Sequence, residues 1–147
     1  MSFVQCDVTD PAAVVEAMAA AETNAGAAID VLVCAAGAAK PGYFLEQGVE
    51  VFERTMRLNY LGTVYAMKAA AERMVGRRTG HLVLISSGAA AAAFMGYGSY
   101  APTKFAVRGL ADSVRNELLG TGVRVRETGP HTRDCSCFPS CAVCTVA

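Results

Sequence analysis

The chain has 147 residues, with 13 Lys and Arg against 13 Asp and Glu, so its formal charge is zero. That length suits one ordinary domain, and a balanced charge without a basic patch gives no basis for nucleic-acid binding. The most hydrophobic-looking run, AAAAAFM at 89–95, is too short to span a bilayer, and no basic stretch followed by an apolar one suggests a secretory leader.

In chain order, FVQCDV at 3–8 reads as a strand. Asp10-Pro11 then supplies an N-cap followed by Pro at the first helical position. The Ala-rich segment from Ala12 to about Thr23 reads as a helix, with Val14, Val15 and Met18 as its buried positions. IDVLVCA at 29–35 is a second strand, ending in the loop AAGAAKPG. Residues 49–75 read as a long helix with apolar Phe52, Met56, Tyr60, Met67 and Met74; the Met residues read as core filling. Gly80 precedes the strand HLVLISS. Residues 98–119 read as a helix stopped by Gly120 and Gly122. VRVRE at 123–127 is a fourth strand. Strands alternating with helices predict a parallel sheet of βαβ units.

Tyr100 and Lys104 stand one helical turn apart, and Ser87 lies thirteen residues upstream of Tyr100. At i and i+4 a phenol and an ammonium share one helix face. A nearby ammonium favours the phenolate, so the pair suits proton transfer in carbonyl and alcohol chemistry. Alone, the pair reads equally well as an exposed aromatic beside a solvated Lys. The neighbourhood adds weight. Ser87 closes an apolar run with the length and Val/Ile/Leu content of a buried parallel strand. Ligands of open α/β sheets sit at such carboxyl ends.

Five motifs follow in order: CDVTD at 6–10, VLVCAAG at 31–37, LNYLG at 58–62, ISS at 85–87 and YAPTK at 100–104. Together they resemble the short-chain dehydrogenase/reductase family, over roughly Phe3 to Val125. The resemblance implies an α/β, Rossmann-like, doubly wound parallel sheet and an NAD(P)-dependent oxidoreductase. It assigns Tyr100 as the acid that protonates the substrate oxygen. Lys104 would assist Tyr100 and bond the nicotinamide ribose, and Ser87 would hold the carbonyl oxygen. Asn59 is expected to distort its helix and hold a water near Lys104. Asp7 would bond the adenine amino group and Val8 would add backbone contacts; Asp7 reads also as the cap of the following turn. Ala36 and Gly37 would line the cofactor, Gly37 by close backbone approach. Cys34-Ala35-Ala36-Gly37 departs from the family's Asn-Asn-Ala-Gly or Asn-Cys-Ala-Gly, so the side-chain amides that steady this loop are missing.

Within the family, FERTMRLNYLGTVYAMKAAAERM and YAPTKFAVRGLADSVRNEL look most like the 3-ketodihydrosphingosine reductases. Those enzymes reduce the ketone of a long-chain sphingoid base. The resemblance thus implies NADPH, with NAD as the alternative, and a long-chain keto-lipid or other carbonyl substrate. It also implies a homodimer through helices 49–75 and 98–119, and the cytosolic face of the endoplasmic reticulum membrane.

The family's first two strands and its turn of the form TGxxxGIG have no counterpart in this sequence. That turn brings backbone N–H groups to the pyrophosphate. The expectation is therefore an incomplete sheet, in which the strand at 3–8 loses its inner neighbours and the strand at 29–35 loses its pairing, leaving an unpaired apolar edge and a chain unstable or inactive alone. Residues 1–127 read as the partial domain and 128–147 as an irregular tail. Cys135, Cys137, Cys141 and Cys144 are cramped compared with paired zinc knuckles, so no metal site is expected; the tail reads as an altered frame or splice product. The rival to an oxidoreductase is an inactive fragment that binds a full-length relative. A thiol–metal module is the third reading.

Overall fold

A computed structural model describes residues 3–128 and 144–145. The first helix, α1 (Pro11–Ala25), starts where Asp10-Pro11 predicts. The Asp10 carboxylate accepts from Ala12 N at 2.9 Å and Ala13 N at 3.3 Å, donors with no acceptor inside the helix. Val14 and Met18 are buried as expected, but Val15 is 46% exposed and Ala17 takes the inward place. Val14, Ala17 and Met18 follow the i, i+3, i+4 stripe; Val15 lies off it.

Four strands form one parallel sheet: β1 (Val31–Cys34), β2 (Gly80–Ile85), β3 (Val123–Thr128) and β4 (Cys144–Thr145), in the order β3-β2-β1-β4. The register puts Leu32 beside Leu82 and Leu82 beside Val125. These residues, with Leu84 and Val123, join the packed core, together with Met18, Met67 and Met74. The opposite face carries Val83 beside Arg126 and His81 beside Arg124. Successive residues of a strand point to opposite faces, so one sheet shows an apolar side and a charged side.

The expected strand at 3–8 does not form. Its burial still alternates: Cys6 and Val8 are buried, while Phe3, Gln5 and Asp7 are exposed. The side chains thus keep a period of two and pack on the core, yet no described strand supplies ladder partners. The expected free edge of β1 is also corrected. β4 pairs with it in parallel, Leu32 opposite Cys144 and Val33 opposite Thr145. Two residues near the end of the chain thus cover part of an edge that the sequence reading left bare. Residues 129–143, which include Cys135, Cys137 and Cys141, lie outside the described residues.

The long helix expected at 49–75 runs from Val49 to Arg77 in three parts: α2 (Val49–Met56), a π-helical turn (Arg57–Leu61) and α3 (Gly62–Arg77). Helix α1 packs on α3, and Glu22 fastens the pair. Its carboxylate lies 3.4 Å from Arg73 and 3.9 Å from Arg77, and accepts from Ile29 N at the entry to β1. The last helix, α4 (Ala101–Glu117), packs on β3. The return from α4 to β3 needs glycine at 122: φ is 89°, and a Cβ there would overlap the carbonyl of Arg78.

Candidate active site

The carboxyl ends of β1 and β2 meet the π turn and the start of α4. Tyr100 occupies the N-cap position of α4, with Pro102 in the first turn, where a missing N–H is harmless. One turn on, Lys104 points back toward β2. Its Nζ donates to Ile85 O at 3.0 Å, two residues before Ser87, and lies 5.7 Å from the centroid of the Tyr100 ring. Lys104 is buried, and burial pushes its ammonium below the usual 10.5, because a charge loses hydration there. One of its three donors goes to Ile85, so two remain for a ligand or water.

Asn59 sits in the π turn and is almost fully buried. Its amide is used on both sides. Oδ1 accepts from Ala38 N at 2.8 Å, and Nδ2 donates to Ala38 O at 2.9 Å and to Thr103 Oγ1 at 3.1 Å. Thr103 Oγ1 in turn donates to Tyr100 O at 2.7 Å. A π turn widens the helix by one residue and frees backbone groups, a distortion frequent at functional sites. Here Thr63 Oγ1 donates to Asn59 O at 2.8 Å.

The loop after β1 therefore has an anchor despite its departure from Asn-Asn-Ala-Gly. The steadying amide comes from Asn59, across 21 residues of sequence. Gly37 fits tightly beneath it: a Cβ there would stand 3.1 Å from Asn59 Oδ1 and 3.9 Å from Lys104 Nζ. Ala36 joins Val8, Cys34 and Gly62 around a cavity of about 10 Å³, the size of one water.

Ser87 caps the short 3-10 turn Gly88–Ala90, its Oγ accepting from Ala89 N at 3.2 Å. That turn packs on α4. The Ser87 hydroxyl proton is not used by this cap. Its neighbour Ser86 has an enclosed Oγ with no hydrogen-bond partner among the described residues. Asp7 stands apart from this cluster. It is exposed, and its Oδ1 accepts from Thr9 N and Thr9 Oγ1, each at 2.8 Å. Those two bonds hold its carboxyl below the usual 3.8. The turn-capping role is thus present, and the second carboxylate oxygen remains open.

Thr103 bridges Asn59 to Tyr100, Lys104 Nζ lies beneath the Tyr100 ring, and Ser87 follows β2, two residues past the carbonyl that anchors Lys104. Three contributors escaped the sequence reading. Thr103 is fully buried and joins Asn59 to Tyr100; its place three residues after Tyr100 is where a Thr hydroxyl returns to helix backbone, a signal available in the sequence. Tyr97 packs edge-on against Tyr100 with ring centroids 6.0 Å apart. The Ile85 carbonyl is a backbone group, and no sequence pattern marks it.

For a dinucleotide, the residues present fit the nicotinamide-ribose end. Lys104 offers free donors, Gly37 leaves room where a side chain would collide, and the Ser86 hydroxyl lacks a partner. No group of three metal-ligating side chains occurs among the described residues.

The family model described as short chain dehydrogenase matches residues 1–136. The chain is 45% identical over 121 residues to a 3-ketodihydrosphingosine reductase of Dictyostelium discoideum, covering 80% of this chain and 36% of that protein. It is 38% identical over 106 residues to a 3-dehydrosphinganine reductase of Danio rerio, covering 72% and 32%. The chain thus spans about a third of the length of the curated relatives it matches. Among solved structures it is similar to ElxO with NADP bound, with a TM-score of 0.81 and 33% identity, over 86% of this chain and 51% of that one. It is similar also to the apo form of LigO from Sphingobium sp. strain SYK-6, with a TM-score of 0.82 and 32% identity, over 86% and 47%. The fold is the α/β Rossmann-type sheet of these structures, of which this chain holds a part.

Proposed function

Since this chain belongs to the short-chain dehydrogenase family, we propose that it carries the proton-transfer site of an NADPH-dependent ketone reductase. The substrate is a carbonyl lipid, 3-ketodihydrosphingosine, and the product is the secondary alcohol dihydrosphingosine. The observation that carries this reading is the junction at Lys104: one buried ammonium, held by the Ile85 carbonyl, lies beneath the ring of Tyr100, and it and the Asn59 amide both flank Gly37.

When bound, NADPH supplies the hydride that adds to the carbonyl carbon. Tyr100 gives its phenolic proton to the carbonyl oxygen, and the C=O bond becomes C–H and O–H. Lys104 keeps a positive charge near the phenol and so favours release of that proton. The Ser87 hydroxyl donates to the oxygen on which negative charge grows, a role of greater value in the transition state than in the ground state. Asn59 fixes the loop at Ala38, keeping Gly37 and Ala36 in place for the cofactor. Asp7, with one oxygen used by Thr9, keeps the other for the adenine amino group, and Val8 adds backbone contacts there.

Action on this substrate places the protein at a membrane, with the cytosolic face of the endoplasmic reticulum as the site. Among the described residues no helix is long and apolar enough to cross one. Pairing of two copies would use the helices at 49–75 and 98–119.

Calorimetric titration with NADPH, followed by turnover of 3-ketodihydrosphingosine, tests the reading. Binding heat and one alcohol formed per NADPH consumed would support the reading and would overturn the expectation, drawn from the missing TGxxxGIG turn, that the chain is inactive alone. No heat from the isolated chain, together with co-purification with a full-length relative, would overturn the reading in favour of a partner-binding fragment.

A further inference from the structure

Six of the eleven exposed large apolar residues among the described residues lie on two segments: Tyr43, Phe44, Leu45, Val49, Phe94 and Met95. The segments are adjacent in space. Gly42 N donates to Gly96 O at 2.9 Å, and Ser99 Oγ donates to Lys40 O at 3.3 Å. Phe44 packs edge-on against Phe52, ring centroids 5.7 Å apart, and Phe52 reaches Gly98. Tyr97, next along, packs on Tyr100. The apolar residues thus form one rim that runs up to the reacting phenol.

Scattered apolar side chains on a surface need no explanation, whereas a contiguous cluster beside a site does. Leu45 is 93% exposed and Met95 is 84% exposed. Side chains this bare project outward; they do not line a groove. We propose that this rim docks on the surface of a lipid bilayer, with Leu45 and Met95 inserted among the acyl chains. The inference rests on the carbonyl-lipid reading above. A substrate whose alkyl chain is insoluble in water stays in the bilayer, and the rim, continuing through Tyr97 to Tyr100, would bring the phenol to the surface where that substrate lies. Glu46 and Glu50 stand on the same loop and the start of α2, so a zwitterionic surface suits the rim better than an anionic one.

Flotation of the 147-residue chain with phosphatidylcholine vesicles, without cofactor or substrate, is the test. Leu45→Asp with Met95→Asp is expected to lower the vesicle-bound fraction about tenfold. Val15→Asp with Leu119→Asp, two exposed apolar residues elsewhere, leaves it unchanged. The chain has no Trp, so Phe94→Trp installs a single indole. Its emission should shift to the blue and be quenched by brominated acyl chains. An unbound wild-type chain, an unquenched indole, or equal losses from the two double variants would overturn the proposal. So would self-association abolished by the rim variant without vesicle binding, or binding of a dispersed alkyl ketone alone. Turnover of a water-soluble short-chain ketone reads the reductase site separately, so failure of docking is distinguishable from failure of that site.

Discussion

Asn59 and Ala38 exchange two hydrogen bonds, the amide oxygen accepting from Ala38 N at 2.8 Å and the amide nitrogen donating to Ala38 O at 2.9 Å. A side-chain amide has the donor and acceptor spacing of a peptide group. Asn59 therefore pairs with the loop as a neighbouring strand would, and it does so from a helix. Its second N–H reaches Thr103, so the loop after β1 and the start of α4 are held by one residue.

Asn59→Ala should lose these three bonds and leave a small buried cavity. We expect a cost of about 1–3 kcal/mol, or roughly 3–10 °C in melting temperature. Asn59→Asp should not rescue it, because a carboxylate oxygen would replace the nitrogen that faces Ala38 O. Thermal denaturation of the two variants beside wild type checks this.

Tyr100→Phe removes one oxygen and leaves the backbone bonds of the α4 cap in place. Turnover should fall about 10²–10⁴-fold with little change in melting temperature, since a general acid contributes on that scale. Ser87→Ala should lower turnover by about 10²-fold. It should also loosen the turn at Gly88–Ala90, whose Ala89 N loses its acceptor. Steady-state rates beside melting curves separate the two effects.

Lys104 makes stability depend on alkaline pH. Burial lowers its value in the fold, while the unfolded chain keeps 10.5. Between those two values the unfolded chain holds a proton that the fold has released, so stability rises with pH. Below both values the desolvation cost is present in full, and above both it is gone. Lys104→Met should remove this slope. Denaturant midpoints of wild type and variant, measured from pH 7 upward, should converge as pH rises if the other effects of the substitution are constant; parallel curves would contradict the assignment.

Gly122 and Gly120 offer a matched pair. Both have positive φ, at 89° and 79°, but a Cβ at Gly120 meets open space while one at Gly122 overlaps the Arg78 carbonyl. Gly120→Ala should cost about 1 kcal/mol from the left-handed backbone alone. Gly122→Ala should cost at least about 2 kcal/mol, because the α3–β2 turn must also shift. Chemical denaturation of both variants reads the difference.

Local signals carried much of the architecture. Asp10-Pro11, the glycines after α4 and the short Val/Leu/Ile runs are self-contained, because caps and strand composition act over a few residues. Failures came where a partner mattered. Residues 3–8 have the alternation of a strand, but a strand exists only when another backbone accepts its hydrogen bonds. The edge of β1 looked bare because nothing local marks Cys144-Thr145 as its neighbour. Val15 was misplaced because a helix so rich in Ala leaves the inward stripe weakly marked.

By itself, the sequence determined the chemical identity of the candidate site: Ser87, Tyr100 and Lys104 at fixed spacing, with Asn59 on the preceding helix. Spacing along one helix settles which side chains share a face, so the pairing of Tyr100 with Lys104 was legible. Only the tertiary structure decided what that pair rests on. The Ile85 carbonyl under Lys104, the Asn59 amide standing in for the missing loop amides, and the bridging Thr103 hydroxyl are contacts between segments 19 to 44 residues apart. Such contacts follow from how β1, β2 and α4 pack together, and no local pattern encodes that packing.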